Sequence, residues 1–154
     1  MPKRFFILIF VLGMLQACSS PEIYQHQVVF QHQIWNRFHF IELEVPVETV
    51  DVPYDMLIDF MHTADYPSDH IAINFTVYFS NGGMRSRDYT FKLKDVDGKW
   101  TGEASANGFR STLPFISAMQ FPEAGMQRIR IESKMTKFDL PGVYSLDFKV
   151  RKSP

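Results

Sequence analysis

Residues 71–79, IAINFTVYF, put Ile71, Ile73, Phe75, Val77 and Phe79 on one side of an extended chain and Ala72, Asn74, Thr76 and Tyr78 on the other. Apolar residues at every second position suit a strand with one buried face, because a helix of about 3.6 residues per turn would scatter them around its circumference. Ser80-Asn81-Gly82-Gly83 follows, residues that tolerate positive φ, and RDYTFKLK at 87–94 then resumes the alternation with Tyr89, Phe91 and Leu93. A hairpin is predicted. Asp95-Val96-Asp97-Gly98 forms the next turn, leading to a short strand around Lys99-Trp100-Thr101.

The same period runs through the rest of the chain. FHFIELEV at 38–45 carries Ile41, Leu43 and Val45 in one phase and Phe38 and Phe40 in the other, which predicts a bulge or a twist near Phe40. YDMLIDFMH at 54–62 sets Met56, Ile58 and Phe60 against a solvated side bearing Asp55 and Asp59. SAMQF, QRIRIES and VYSLDFKVR continue the pattern, the last with Tyr144, Leu146, Phe148 and Val150 inward. Connections containing Pro122, Gly125, Pro141 and Gly142 separate them, and no long segment combines helical spacing with caps. The expected fold is all-β, a single antiparallel β-sandwich, Ig-like or jelly-roll-like, of about seven to nine strands, with a closed barrel as the alternative. Most of the 15 phenylalanines then belong to the core.

The N-terminus reads differently. Lys3 and Arg4 precede an apolar run from Phe5 to Leu15, the layout of a secretory signal. As a helix, about 11 residues would cover ~16 Å against a hydrocarbon core of ~30 Å, too short for a span. Cys18 is the single cysteine of the 154 residues, so no internal disulfide is available to it. Leu15-Gln16-Ala17-Cys18 resembles the lipobox of bacterial lipoproteins, in which cleavage precedes a cysteine carrying diacylglycerol and an N-acyl chain. The domain plan is a signal peptide at 1–17, a lipid-anchored tether at 18–27 and a β-sandwich at 28–154. Two or more acyl chains on Cys18 give stable membrane anchoring. Losing Lys3 and Arg4 lowers the formal charge of −1 by two units, and the remaining cations are scattered, which argues against a nucleic-acid partner.

Candidate chemistry is sparse. His62, Asp65, Asp69 and His70 fall within MHTADYPSDH, yet a polar inter-strand loop explains them better than a metal site does. Asp55 with Asp59, and Asp95 with Asp97, imitate a glycosidase carboxylate pair, but one pair lies on a strand face and the other in a tight turn. No G-x-S-x-G signature is present. Neither an enzyme nor a cofactor is expected. Trp35 and Trp100 are candidates for stacking on sugars, which keeps a glycan-binding surface lipoprotein of a nutrient-uptake system as the alternative function.

Several strings carry a further likeness: IWN at 34–36, HTADYPSDHI at 62–71, DVDGKWTG at 95–102, TLPF at 112–115, FPEAGMQRIRIESKM at 121–135 and LPGVYSLDFKV at 140–150. In this order, behind a lipobox, they resemble the gliding motility lipoprotein GldH family of Bacteroidetes. The likeness covers about residues 22–152, with departures at Ser68 to His70 and at Met126-Gln127. It implies a non-enzymatic outer-membrane lipoprotein, a scaffold or interaction component of gliding and type IX secretion machinery, with other envelope proteins as partners. Ser19 after the cysteine lacks the aspartate that retains lipoproteins in the inner membrane; periplasmic and surface faces both stay open. Within the loop, Asp65, Tyr66 and Asp69 are the candidate partner contacts, since that segment has no core-facing period.

Overall fold

A computed structural model describes residues 21–154. The expected signal peptide and the expected lipid site at Cys18 lie outside the described residues. Within them run β1 (Glu22–Val29), β2 (Ile34–Asn36), β3 (Ile41–Val47), β4 (Tyr54–His62), β5 (His70–Tyr78), β6 (Met84–Lys92), β7 (Glu103–Ser105), β8 (Gly108–Met119), β9 (Gly125–Ser133), β10 (Asp139–Pro141) and β11 (Val143–Lys152). A five-stranded sheet in the order β1-β11-β4-β8-β7 faces a four-stranded sheet in the order β3-β9-β5-β6, and β10 pairs with β2 in a small third sheet. Every pairing is antiparallel. The all-β sandwich predicted from the alternation is therefore the observed fold.

Alternation builds the core directly. On β3, Ile41, Leu43, Val45 and Val47 are buried while Glu42, Glu44 and Pro46 are exposed. Ile71, Ile73, Phe75 and Val77 of β5 meet Met56, Ile58 and Phe60 of β4 and Leu146, Phe148 and Val150 of β11 in one continuous core. Phe148 is its hub, with ring centroids 6.2 Å from Tyr24, 6.2 Å from Phe75 and 6.3 Å from Phe115. Pro46 is tolerated because β3 is an edge strand.

The structure corrects several sequence expectations; the strand read at SAMQF is only the end of β8, which begins at Gly108 and stops at Met119. Residues 22–27 are no tether: they lie in β1, which pairs along β11 from Glu22 to Val29. Main-chain hydrogen bonds to the β11 edge supply what this polar stretch lacks in apolar surface, helped by Gln25 donating to Asp147 Oδ2 at 2.6 Å and by the Lys149–Glu22 pair at 3.5 Å. The phase change near Phe40 is a turn before β3, where the Trp35 indole donates to the His39 carbonyl at 2.9 Å. Around Trp100 there is a single bridge to Lys94 in place of a strand. Val143, not Tyr144, points inward, because β11 shifts register between Val143 and Ser145.

Asp59, predicted on a solvated side, is bonded there. It accepts from the Thr112 hydroxyl at 2.6 Å and pairs with Lys149 at 3.1 Å, joining β4 to both neighbours. Leu57 and Met61, in the same phase, are buried as well.

Because Phe148 is fully buried against three rings, Phe148→Ala should lower unfolding free energy by about 3–5 kcal/mol. Phe38→Ala, at an exposed position, should change it by less than about 0.5 kcal/mol. Urea unfolding of both variants measures the difference.

Candidate functional site

β1 and β4 both run antiparallel to β11, so Val29 and His62 lie at the same end of the sandwich. The connections 30–40, 63–69, 93–107 and 134–142 gather there. The 63–69 loop is short and tied at several points. Thr63 N–H donates to the Gly142 carbonyl at 2.8 Å, and Tyr66 N–H donates to the Thr63 carbonyl at 3.2 Å. The Tyr66 hydroxyl donates to the His70 carbonyl at 3.0 Å, and Leu93 N–H donates to the Asp69 carbonyl at 2.7 Å.

Two glycines make this closure possible. Gly142 has φ of 80°, and a Cβ on it would lie 2.9 Å from both the Thr63 hydroxyl and Tyr66 Cα. A Cβ on Gly108, at φ of 131°, would lie 2.0 Å from the His62 carbonyl oxygen. Neither position admits a side chain without displacing main chain.

Tyr66 is not the exposed contact predicted for it. It is 3% exposed and packs edge-on against Phe60, with centroids 5.7 Å apart, so it pins the loop from beneath. Asp65 and Asp69, by contrast, are exposed. The Thr63 hydroxyl donates to Asp65, and His70 bonds Asp69 at 2.7 Å. These hydrogen bonds hold both carboxyls below the usual carboxylate range, so the loop presents two anionic groups on a fixed frame.

Behind the loop sits a cluster that the sequence reading missed. The His62 ring is fully buried, 4.4 Å from Trp100, 5.1 Å from Tyr66 and 5.9 Å from Phe109, centroid to centroid. Its Nδ1 donates to the Thr63 carbonyl at 2.9 Å, which leaves Nε2 a bare lone pair, buried and without a partner among the described residues. Burial pushes its pKa down, against the Thr63 hydrogen bond, with the nearby Lys94 charge adding to the fall. Lys94 Nζ sits 4.1 Å from the Trp100 ring centroid. Phe109 and Lys94 carry no motif, and only the sheet registers bring them to His62.

The stacking candidates fare unequally. Trp35 is fully buried, stacked on Phe30 at 5.2 Å, so as folded it offers no face to a sugar. Trp100 is half-buried and already covered by Lys94 and the cluster rings. Among the described residues no three His, Cys, Asp or Glu side chains converge as metal ligands, and His62 faces the aromatic cluster while His70 faces Asp69.

Large apolar side chains flank the loop on the same end. Phe38 is 65% exposed, Phe138 55% and Ile34 39%. Phe38 and Phe138 touch edge to face at 5.4 Å, beside the β2–β10 pair in which Ile34 opposes Pro141.

Gly142→Ala should lower stability by more than about 1 kcal/mol, through strain at positive φ and the clash with Tyr66. For His62 the folded pKa lies below the unfolded value. As pH falls through about 6.5 the unfolded chain takes up a proton that the buried ring resists, so stability drops. His62→Phe should flatten that fall. Parallel urea-midpoint curves for the two proteins between about pH 7.5 and 5.5 would contradict it.

The turn through Tyr66, the buried Trp35 and the constrained Gly142 all lie in a stretch, residues 22–150, that matches the family model described as GldH lipoprotein. No curated protein matches the chain in sequence. Among solved structures it is similar to the crystal structure of dimeric latent PorU from Porphyromonas gingivalis, at 9% identity and a TM-score of 0.38, over 88% of this chain and 14% of that one. With most of its residues inside the family match, this chain belongs to the GldH lipoprotein family.

Proposed function

We propose that the chain is a lipid-anchored, non-enzymatic component of gliding and type IX secretion-associated envelope machinery, held on the outer membrane through acylated Cys18 and docking other envelope proteins with its loop end. Family membership supports the coarser part, a gliding-motility-associated lipoprotein of the envelope. The observation that carries the docking role is the exposed set Phe38, Phe138 and Ile34 at the end of the sandwich that also bears the ionised Asp65 and Asp69. An exposed apolar patch rimmed by polar groups marks a protein-interaction surface.

Orientation follows from chain length. Cys18 precedes the start of β1 by four residues, a reach of at most ~14 Å, so the end holding Glu22 would lie nearest the bilayer. β1 then carries the chain about 25 Å away. The aromatic and acidic end would face away from the anchoring leaflet, where other proteins can reach it.

The test is affinity capture of the tagged lipoprotein from gently solubilised envelopes, with Cys18→Ala as the unanchored control. Recovery of gliding or secretion components should be lost in Cys18→Ala and reduced at least about fivefold by Phe38→Ser with Phe138→Ser, in protein that still folds. A fully acylated protein recovered alone would overturn the proposal.

A further inference from the structure

The two sheets are not closed along one flank. β6 ends the four-stranded sheet, and among the described residues it pairs with β5 alone. Opposite it, β7 covers only Gly108 to Arg110 of β8, so among the described residues β8 has no second neighbour from Ser111 to Met119. Between these edges lies a cleft of about 840 Å³. Phe75, Val77, Phe115 and Met119 contribute apolar lining, and Arg85 and Arg87 stand over it.

The two arginines occupy unusual positions. Antiparallel register places Arg85 opposite Val77 and Arg87 opposite Phe75, whereas Tyr89 and Phe91 of the same phase oppose Ile73 and Ile71. Directly opposed residues share a sheet face, so Arg85 and Arg87 take core-phase positions of β6. Both are exposed, and among the described residues neither has a carboxylate within ion-pair distance. Their planes rest near aromatic rings, Arg85 5.7 Å from Phe79 and Arg87 5.4 Å from Tyr89, which holds the cations at the cleft.

The edges differ in what they can accept. β8 is irregular, with Pro114 lacking a donor, Ala118 at φ of 53° and its N–H already given to Asp55 at 3.0 Å. β6 runs its full nine residues in unbroken register with β5, leaving an unpaired row of main-chain donors and acceptors. Pairing with β6 of a second copy would bring the arginines of two chains together. Charges in core-phase positions of an edge strand repel indiscriminate pairing, and the same charges select a strand of opposite sign.

The geometry points to β6 as an acceptor for an extended acidic–apolar segment of another envelope protein, added as a further strand, with its carboxylates on Arg85 and Arg87 and its apolar side chains over Phe115 and Met119. Main-chain pairing supplies affinity and the cleft supplies selection. This goes beyond the docking role of the loop end and involves a different surface.

The probe is a synthetic peptide matching the nine residues of β6 in length, with two glutamates and then two valines at the alternate positions that face the cleft and threonine at the others, added to the acylated full chain in detergent micelles. Anisotropy should show saturable binding, and hydrogen exchange should show new protection over residues 84–92. Arg85→Glu with Arg87→Glu should weaken binding at least about tenfold and shift preference to the lysine counterpart of the peptide. Arg85→Gln with Arg87→Gln serves if the reversal does not fold. An acidic peptide N-methylated along one edge should lose binding. Absence of saturable binding, equal binding by the charge variants, equal binding of the N-methylated peptide, or capture of dodecanoate with no capture of peptide would each overturn the inference. Capture of envelope machinery by the loop end would be unaffected by these results, so the two proposals fail separately.

Discussion

Everything in this molecule depends on two sheets having to hide one face each. β4 and β11 on one side and β5 and β9 on the other send alternate residues into a shared layer, where Ile58, Phe60, Ile73, Phe75, Ile129, Ile131 and Phe148 are at most 2% exposed. A sheet can satisfy its main chain alone, but its apolar face needs a second sheet. Once the layers are committed to each other, free surface remains at the two ends, the two outer faces and the flanks. The outer faces are occupied by cross-strand bonds such as Thr112 to Asp59 and Asn74 to Asp88. Distinctive chemistry is therefore left to an end and a flank.

At the loop end the chain spends buried volume on rigidity. Tyr66 and His62 are polar residues under cover, and each gives one hydrogen bond to a nearby carbonyl. Their rings lock the 63–69 loop to the strand ends, while Gly108 and Gly142 let neighbouring main chain pass close enough to complete the lock. The loop consequently holds Asp65 and Asp69 in fixed places rather than leaving them on a mobile segment. A frame of this kind lowers the entropy lost on docking a partner.

Reading the strands from sequence worked where one face was apolar. IAINFTVYF became β5 with its predicted inward set buried, and the predicted hairpin forms, with β6 starting at Met84 rather than Arg87. It failed where pairing was decided by a neighbour. Glu22 to Gln27 has too little apolar surface to announce a strand, and only the open edge of β11 makes it one. It failed again at single residues. Tyr66 lies in a polar loop with no period, so its burial could not be read from spacing, and Trp35 gives the same ambiguity in a three-residue strand.

The sequence by itself determined the fold class and the inward sets of β3, β4 and β5, because side-chain period is a local property of an extended chain. It also supplied the lipobox-like string and the family strings, which are contiguous. Tertiary structure alone decided which residues share a site. Phe109 and Lys94 reach His62 across sheet registers, and Arg85 and Arg87 acquire meaning only when β6 proves to be an edge facing an open flank. Such juxtapositions depend on strand order, which long-range pairing sets and no short stretch of sequence encodes.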